Sequence, residues 1–436
     1  MSNISQLYQC YLNHPQVITD SRKIEVGCLF FALKGPNFNG NKYAEEAISK
    51  GAAFAIIDEA EFDKGEEYIL VKDVLVSLQE LARHHRRQFE IPVIAITGSN
   101  GKTTTKELIS RVLGNQYRTH FTKGNLNNHI GVPLTLLEIK ADTQIAIIEM
   151  GANHLEEIKF LAEIAEPSHG LITNIGKAHL EGFGGLEGVK KAKGELFDYL
   201  AKANGVVFIN LDEPHLEDLA LDVKHKVFFL ESEEPSSQVG PYEVKLLSLT
   251  PFVKVAFHDE KEKLVEVSSS LIGRYNFNNI KTAIAIGKYF KVPSPKMKDA
   301  IEAYIPTNNR SQILKKDSNS FLLDAYNANP TSMRHAIEYF ATEEAAHKIV
   351  ILGDMLELGD YSEKEHQEII DLALSLKFDK IWLVGQVFNG LSAKRKEISS
   401  FLNVEALKEE KSLSKIQNTH FLIKGSRGIR LERFLE

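Results

Sequence analysis

Short continuous apolar runs recur along the chain, separated by stretches in which apolar residues return every three or four positions. The runs at 93–96, 144–149, 170–175 and 206–210 read as strands with helical segments between them, a β–loop–α rhythm that predicts a parallel sheet. Residues 242–272 break it. There Val, Leu and Phe alternate with polar partners, which predicts antiparallel strands, and a helix is expected to start near Asn276. Before this region lie strands at 28–33, 53–57 and 68–71 and helical segments at 43–50 and 74–88; after it lie strands at 321–324, 349–352, 381–384 and 421–423. Three of these last end in glycine or Lys-Gly, as strand-to-loop exits do in doubly wound folds. The pattern predicts an α/β chain of three domains, at 1–88, 89–304 and 305–436, the central one opening at Ile91-Pro92. The central domain is expected to be a P-loop parallel α/β domain of ATPase type and the C-terminal one Rossmann-like. There is no internal repeat, low-complexity tract or long linker.

Composition narrows the class. The 436 residues, 43% hydrophobic and 25% charged, are those of an ordinary soluble globular protein. Cys10 and Cys28 have no metal-type spacing and imply no disulfide framework, which suits a reducing cytoplasm. No secretory signal is visible at the N-terminus. No apolar run approaches the roughly 20 residues needed to span a membrane, so no membrane insertion is expected. A net charge of −7 argues against nucleic acid as a partner, and an anionic ligand must then be held by local groups. The Glu-rich pieces at 59–67 and 405–410 read as solvated surface.

The chemistry concentrates at 97–107, Thr-Gly-Ser-Asn-Gly-Lys-Thr-Thr-Thr-Lys-Glu, directly after an apolar strand. A strand, a tight turn and a helix start form a phosphate cradle. The amides of Gly98, Ser99, Asn100 and Gly101 and the helix N-terminus face the anion, Lys102 brings a point charge, and Thr103, followed by Thr104, can reach Mg²⁺. The turn is shorter than G-x-x-x-x-G-K-[ST], which would need glycine at Ile96. Glu149 closes the strand 144–149, where ligands of α/β sheets bind, and Mg²⁺ takes a carboxylate plus phosphate oxygens; a surface or capping Glu is the plainer alternative, against which Gly151 weighs. His179 in its glycine-rich loop reads equally as a hydrogen-bonded structural residue, and Lys193 as a surface helix lysine; composition does not separate these from functional roles. Asp324, at a strand end before Asn-rich turn chemistry, suits a sugar or base as well as it suits an Asx turn.

These segments resemble the Mur ligases, throughout the chain. The resemblance rests on Thr-Asp-Ser-Arg at 19–22, Leu-Phe-Phe-Ala-Leu-Lys-Gly at 29–35, the loop at 97–106 and Asn-Leu-Asn-Asn-His-Ile-Gly-Val-Pro-Leu-Thr-Leu-Leu at 125–137. It continues through Glu-Met-Gly-Ala-Asn at 149–153, the loop 173–184, Ala-Lys-Gly-Glu-Leu at 192–196, Asp-Ala-Tyr-Asn-Ala-Asn-Pro at 324–330, Gly-Asp-Met-Leu-Glu-Leu-Gly at 353–359 and Lys-Gly-Ser-Arg at 424–427. It implies a cytoplasmic, monomeric, ATP-dependent amide ligase of peptidoglycan precursor synthesis. Within the family it points to the member whose acyl substrate is UDP-N-acetylmuramoyl-tripeptide and whose amine is D-alanyl-D-alanine, joined through an acyl phosphate and a tetrahedral intermediate. The domains would then take, in order, the UDP-sugar, ATP and the amine substrate.

By the same resemblance, Lys102 and the loop amides hold ATP phosphates, and Thr103 and Glu149 hold one Mg²⁺. His179 and a carbamylated Lys193 serve a second Mg²⁺. Asn276 and Asn279 fall at adenine, Asp324 at ribose, Arg310 near the phosphates and Tyr326 in the same nucleotide group. Asn127 and Asn128 fall near the reacting groups and Ser21 and Arg22 at the uridine nucleotide. Asn327, Asp354, Lys424, Ser426 and Arg427 are implied on the substrate side of the C-terminal domain. Tyr275 stands where many members have His. The family's enzyme for the third stem residue carries an Asp-x-x-Arg-type motif, and 353–359 stands in its place here. Other members of the superfamily, including the folylpolyglutamate type, and a plain P-loop kinase or NTPase are the competing readings. A second Rossmann-like unit speaks against the last.

Overall fold

The computed structural model describes residues 4–234, 242–307, 309–392 and 397–436. Three principal sheets carry the fold. The first is parallel, with strands Val17–Ile18, Leu29–Phe31, Phe54–Ile57 and Tyr68–Leu70 side by side in chain order. Asp73 then caps the helix Val74–Arg86 by accepting from Val76 N–H at 2.8 Å. This helix buries Leu78, Leu81 and Ala82 and packs on the helices Ile4–Asn13 and Gly131–Leu137. The first of these helices was not anticipated from the sequence.

The central sheet has nine strands. From one edge they run Leu264–Ser268, Lys254–His258, Tyr242–Ser248, His225–Glu231, Val206–Asn210, His169–Ile172, Val93–Thr97, Ile145–Glu149 and Thr119–Phe121. The two ladders among 242–268 are antiparallel, as the alternation predicts, and the others are parallel. Val93–Thr97 and Ile145–Glu149 are buried at every position because both faces are covered. Successive side chains point to opposite faces. Ile94, Ile96 and Ile147 meet Leu108, Val112, Ile280 and Ile284 of the helices Lys102–Gly114 and Arg274–Tyr289. Ala95, Ala146 and Ile148 belong to the opposite core, with Leu161 and Leu196 of the helices Glu157–Ala165 and Leu186–Lys202.

The third sheet runs Gln312–Lys316, Asn319–Asp324, Thr419–Lys424, His347–Gly353, Lys380–Val384 and Ile398–Phe401, parallel except for the first ladder. Its α/β layering, beside the central sheet and the first, agrees with the expected three-part α/β architecture. One expectation changes: the strand expected at 170–175 ends at Ile172. Beyond it Thr173 N–H still donates to the Thr97 carbonyl at 2.9 Å, while the side chains of Thr173 and Asn174 bond the turn at Asn100.

Candidate active site

The turn after Val93–Thr97 is built by two glycines that no other residue could replace without strain. Gly98 has φ +138° and Gly101 φ +79°; a Cβ on the first would lie 2.0 Å from Thr173 Oγ1, and on the second 2.7 Å from Asn279 Oδ1. Side chains just past the neighbouring strand, and one of the turn's own, hold the turn in shape. Thr173 Oγ1 donates to the Asn100 carbonyl at 2.6 Å, Asn100 N–H to Asn174 Oδ1 at 3.0 Å, and Ser99 Oγ to the Gly176 carbonyl at 3.0 Å. Lys102 Nζ donates to the carbonyls of Gly98 at 2.7 Å and Ser99 at 3.3 Å. Burial pushes this ammonium below its ordinary range; the Glu149 carboxylate opposes the shift and the Arg310 guanidinium adds to it. Thr104 is half-buried on the same first helical turn.

Glu149 ends its strand fully buried beside this turn. Its Oε1 accepts from Thr103 Oγ1 at 3.2 Å and from Asn127 Nδ2 at 2.8 Å. Its Oε2 lies 3.3 Å from Lys106 Nζ, itself buried, in an ion-pair approach without an aligned hydrogen bond. That leaves a buried carboxylate oxygen with lone pairs free, next to a hydroxyl and a phosphate cradle. A hard, oxygen-seeking cation such as Mg²⁺ fits this donor set. Among the described residues no group of three or more His, Cys, Asp or Glu side chains could hold a metal unaided, so remaining ligands would have to come from elsewhere.

Lys193 lies on Leu186–Lys202 with 1% of its surface exposed. Among the described residues its Nζ reaches the Ala152 carbonyl alone, at 3.4 Å, and the face of Phe183, 5.1 Å from the ring centre. Burial pushes its pKa down to about 7, with the charge of Lys102 adding to the drop and Glu157 and Glu195 opposing it. His179 packs edge-on against the same Phe183 ring. Its Nδ1 lies 2.5 Å from Glu357 Oε2, and the ring beside it holds the Glu357 carboxyl below the usual carboxylate range.

The central and third sheets meet at the turn itself. Asn329 caps the helix Pro330–Thr342 with its oxygen and donates from Nδ2 to Asn100 Oδ1 at 2.7 Å. Asn279 Oδ1 accepts from Thr105 Oγ1 at 3.0 Å, and its Nδ2 donates to Asn276 Oδ1 at 2.9 Å, which sets Asn279 under Gly101 with Asn276 bonded behind it. Asp324 accepts from Ser311 N–H at 3.1 Å and pairs with Lys424 Nζ at 2.5 Å across the register of their strands. Tyr326 is flanked by two guanidinium groups, Arg310 at 3.6 Å and Arg427 at 5.3 Å from the ring centre.

Other expected site residues spend their side chains locally. Asn128 Oδ1 accepts from Ile130 and Gly131 N–H, and Asn327 Oδ1 from Ala328 N–H. Asp354 caps the helix Gln386–Leu391 through the amides of Val387 and Phe388, both at 2.9 Å. Ser426 Oγ accepts from Leu356 N–H at 3.0 Å. Ser21 and Arg22 stand on the first sheet's rim, where exposed Arg22 pairs with Asp20 at 2.8 Å. Four residues at this centre were not anticipated: Lys106, Asn174, Asn329 and Glu357. Only Asn329 had a sequence signal, an asparagine directly before a proline that opens a helix.

The comparisons with known proteins follow the same outline. Family models described as "Mur ligase family, catalytic domain", "Mur ligase middle domain" and "Mur ligase, glutamate ligase domain" match residues 16–87, 96–287 and 309–427. The chain belongs to the Mur ligase family. This Mur ligase is 34% identical to UDP-N-acetylmuramoyl-tripeptide–D-alanyl-D-alanine ligase of Bacillus subtilis, over 100% of this chain and 97% of that protein. It is also 34% identical to the Escherichia coli protein of the same name, over 95% and 92%. In structure it is similar to MurF from Acinetobacter baumannii, at 30% identity and a TM-score of 0.85 over 99% of this chain and 97% of that one. Membership along its length sets aside a free-standing P-loop kinase. Among the described residues, no helix of this Mur ligase is long and apolar enough to cross a membrane.

Proposed function

We propose that this Mur ligase joins D-alanyl-D-alanine to UDP-N-acetylmuramoyl-tripeptide with hydrolysis of ATP, in peptidoglycan precursor synthesis. The full-length likeness to relatives named for that reaction supplies the substrates. The observation that carries the chemistry is the phosphate cradle at 98–103 with Glu149 buried at its edge and Asn329 of the third sheet bonded to it. A carboxylate is a poor electrophile. Its oxygen attacks the γ-phosphorus and ADP departs, giving an acyl phosphate. The dipeptide amine then attacks the acyl carbon, and the tetrahedral intermediate expels phosphate and releases a proton. The chain's work is to align these groups and to balance their charge.

Lys102 lies at the phosphates, Arg310 beside them, and Asn276 and Asn279 below the turn on the adenine side. Mg²⁺ on Thr103 and Glu149, and a second Mg²⁺ toward His179 and Lys193, would neutralise phosphate charge. Lys193 suits carbamylation. With a pKa near 7 its amine is substantially neutral at physiological pH, so its lone pair can attack CO₂ and lose a proton, yielding an anionic oxygen ligand. The regions 1–88, 89–304 and 305–436 would take the UDP-sugar, ATP and the dipeptide. The cytoplasm, where ATP and the soluble precursor occur together, is the expected compartment, and a monomer the expected state.

Coupled phosphate release with Mg-ATP, UDP-N-acetylmuramoyl-tripeptide and D-alanyl-D-alanine, omitting each in turn, tests the assignment. Release that needs all of them, with a product of the joined mass, is expected. Release indifferent to the dipeptide refutes it. Partial rescue of Lys193→Ala by small carboxylates would support the carbamate, and unchanged Lys193→Ala activity would remove it.

A further inference from the structure

We infer that Glu357, a residue of the third domain, is a positioning residue for His179, so that the metal-binding face of the central domain is completed only when the amine-binding domain is docked. The inference rests on the reading of His179 as a metal ligand.

Several observations converge on this contact. Glu357 Oε2 lies 2.5 Å from His179 Nδ1, a close approach out of line for a hydrogen bond, although the residues are far apart in sequence and lie in loops that follow different sheets. Both backbones sit in the left-handed region, at φ +51° for His179 and +64° for Glu357, which residues other than glycine seldom adopt. The main chains are joined too, since Glu181 N–H donates to the Glu357 carbonyl at 3.3 Å. Gly359, at φ +53°, lies so close to Glu181 that an added Cβ would approach its Cβ and Cγ to 3.1 Å. The same loop is clasped once more at Lys177. Its N–H donates to Thr331 Oγ1 at 3.1 Å and its Nζ pairs with buried Glu365 at 2.5 Å.

The chemistry of imidazole gives this contact a consequence. A ring that binds a cation through Nε2 carries its hydrogen on Nδ1. The neighbouring carboxylate needs only a turn of the ring to accept that hydrogen, and once it does it fixes the ring's orientation and raises the basicity of the bound nitrogen; removing such a partner typically costs about 10–100-fold in metal affinity. Glu357 is half-exposed, so as a plain ion pair it would add little to stability. A role in the metal site and a merely structural role are therefore separable.

Mn²⁺ titration followed by electron paramagnetic resonance separates them, on the full chain with a non-hydrolysable ATP analogue and UDP-N-acetylmuramoyl-tripeptide. The wild-type chain, Glu357→Gln and His179→Ala are compared, with thermal melts as the check on folding. His179→Ala is expected to lose the weaker Mn²⁺. Glu357→Gln is expected to weaken that ion about 10–100-fold, to leave the tighter one and the melt unchanged, and to lower kcat with an unaltered KM for the dipeptide. Glu357→Asp, charged but shorter, should fall between. Wild-type Mn²⁺ binding by Glu357→Gln, while His179→Ala loses an ion, overturns the inference alone. So does a raised dipeptide KM with intact Mn²⁺ binding. Retention of both ions by His179→Ala overturns the ligand reading and the inference with it.

Discussion

Replacing Lys193 by methionine should make the folded chain more stable while destroying its activity. The side chain is buried, with one long hydrogen bond to the Ala152 carbonyl and one aromatic contact. Its pKa falls from 10.5 to about 7. At about 1.4 kcal/mol per pH unit, that drop is worth about 5 kcal/mol against the charged form. The sign is fixed by linkage. Below about pH 7 both folded and unfolded chains carry the proton, and the penalty is present in full. Between about 7 and 10.5 the unfolded chain holds a proton that the folded one has released, so stability rises with pH across this window. Methionine has a similar shape and no charge. It forfeits the hydrogen bond, worth about 1 kcal/mol, so a gain of about 4 kcal/mol is expected at pH 6.5. Urea denaturation of both proteins at intervals from pH 6.5 to 9.5, in CO₂-free buffer to keep the amine unmodified, measures it. The wild-type midpoint should climb toward that of Lys193→Met as pH rises. Parallel curves, or a less stable Lys193→Met at pH 6.5, would refute the argument that burial, with the charge of Lys102, depresses this amine.

Lys102→Ala should abolish phosphate release without lowering the melting temperature, since the lost ammonium is half-buried and, among the described residues, bonds its own loop alone; residual turnover would argue against its place at the phosphates. Lys106→Met leaves Glu149 as an unpaired buried carboxylate and should cost about 3–5 kcal/mol in urea denaturation. An unchanged midpoint would mean the pair contributes nothing net. Gly98→Ala places a methyl 2.0 Å from Thr173 Oγ1 at φ +138°, and about 1–3 kcal/mol of strain should appear as a lower melting temperature together with weakened ATP binding by calorimetry; wild-type affinity would show that the turn relaxes.

What the sequence discloses is what local chemistry sets. The turn at 97–103 is legible because its glycines, its lysine and the strand before it are adjacent in the chain. The place of Glu149 beside the turn is legible because it ends an apolar strand next to Gly151, while its burial, which sets it apart from a surface or capping Glu, is not. The antiparallel strands at 242–268 are legible in their alternation. Lys106 is not, since a lysine in a helix reads as solvated until the fold brings Glu149 beside it. Glu357 likewise stands in a loop whose meaning depends on how the third sheet sits against His179. Asp354 is a residue the resemblance implies on the substrate side, and the local sequence gives no sign that its oxygens accept from the amides of Val387 and Phe388, which lie over thirty residues on. The helix Ile4–Asn13 owes its burial to Tyr8 and Tyr11, whose hydroxyls meet His85 on a helix some seventy residues on, a pairing no local window contains. The strand His225–Glu231 is only half-buried along most of its length, although Val227–Leu230 form a continuous apolar run like those of its neighbours.

The antiparallel end of the central sheet has a practical consequence. The outermost strand, Leu264–Ser268, stands six strand spacings from Val93–Thr97, roughly 29 Å in the plane of the sheet. The hairpin joining it to Lys254–His258 turns at exposed residues 260–263. Among the described residues nothing at that tip bonds the phosphate turn, yet both belong to one nine-stranded sheet. The tip is thus a natural handle. A dye or a short inserted tag placed there would travel with the nucleotide site without disturbing it, and against a second dye on the third sheet it would act as a ruler for domain motion during turnover.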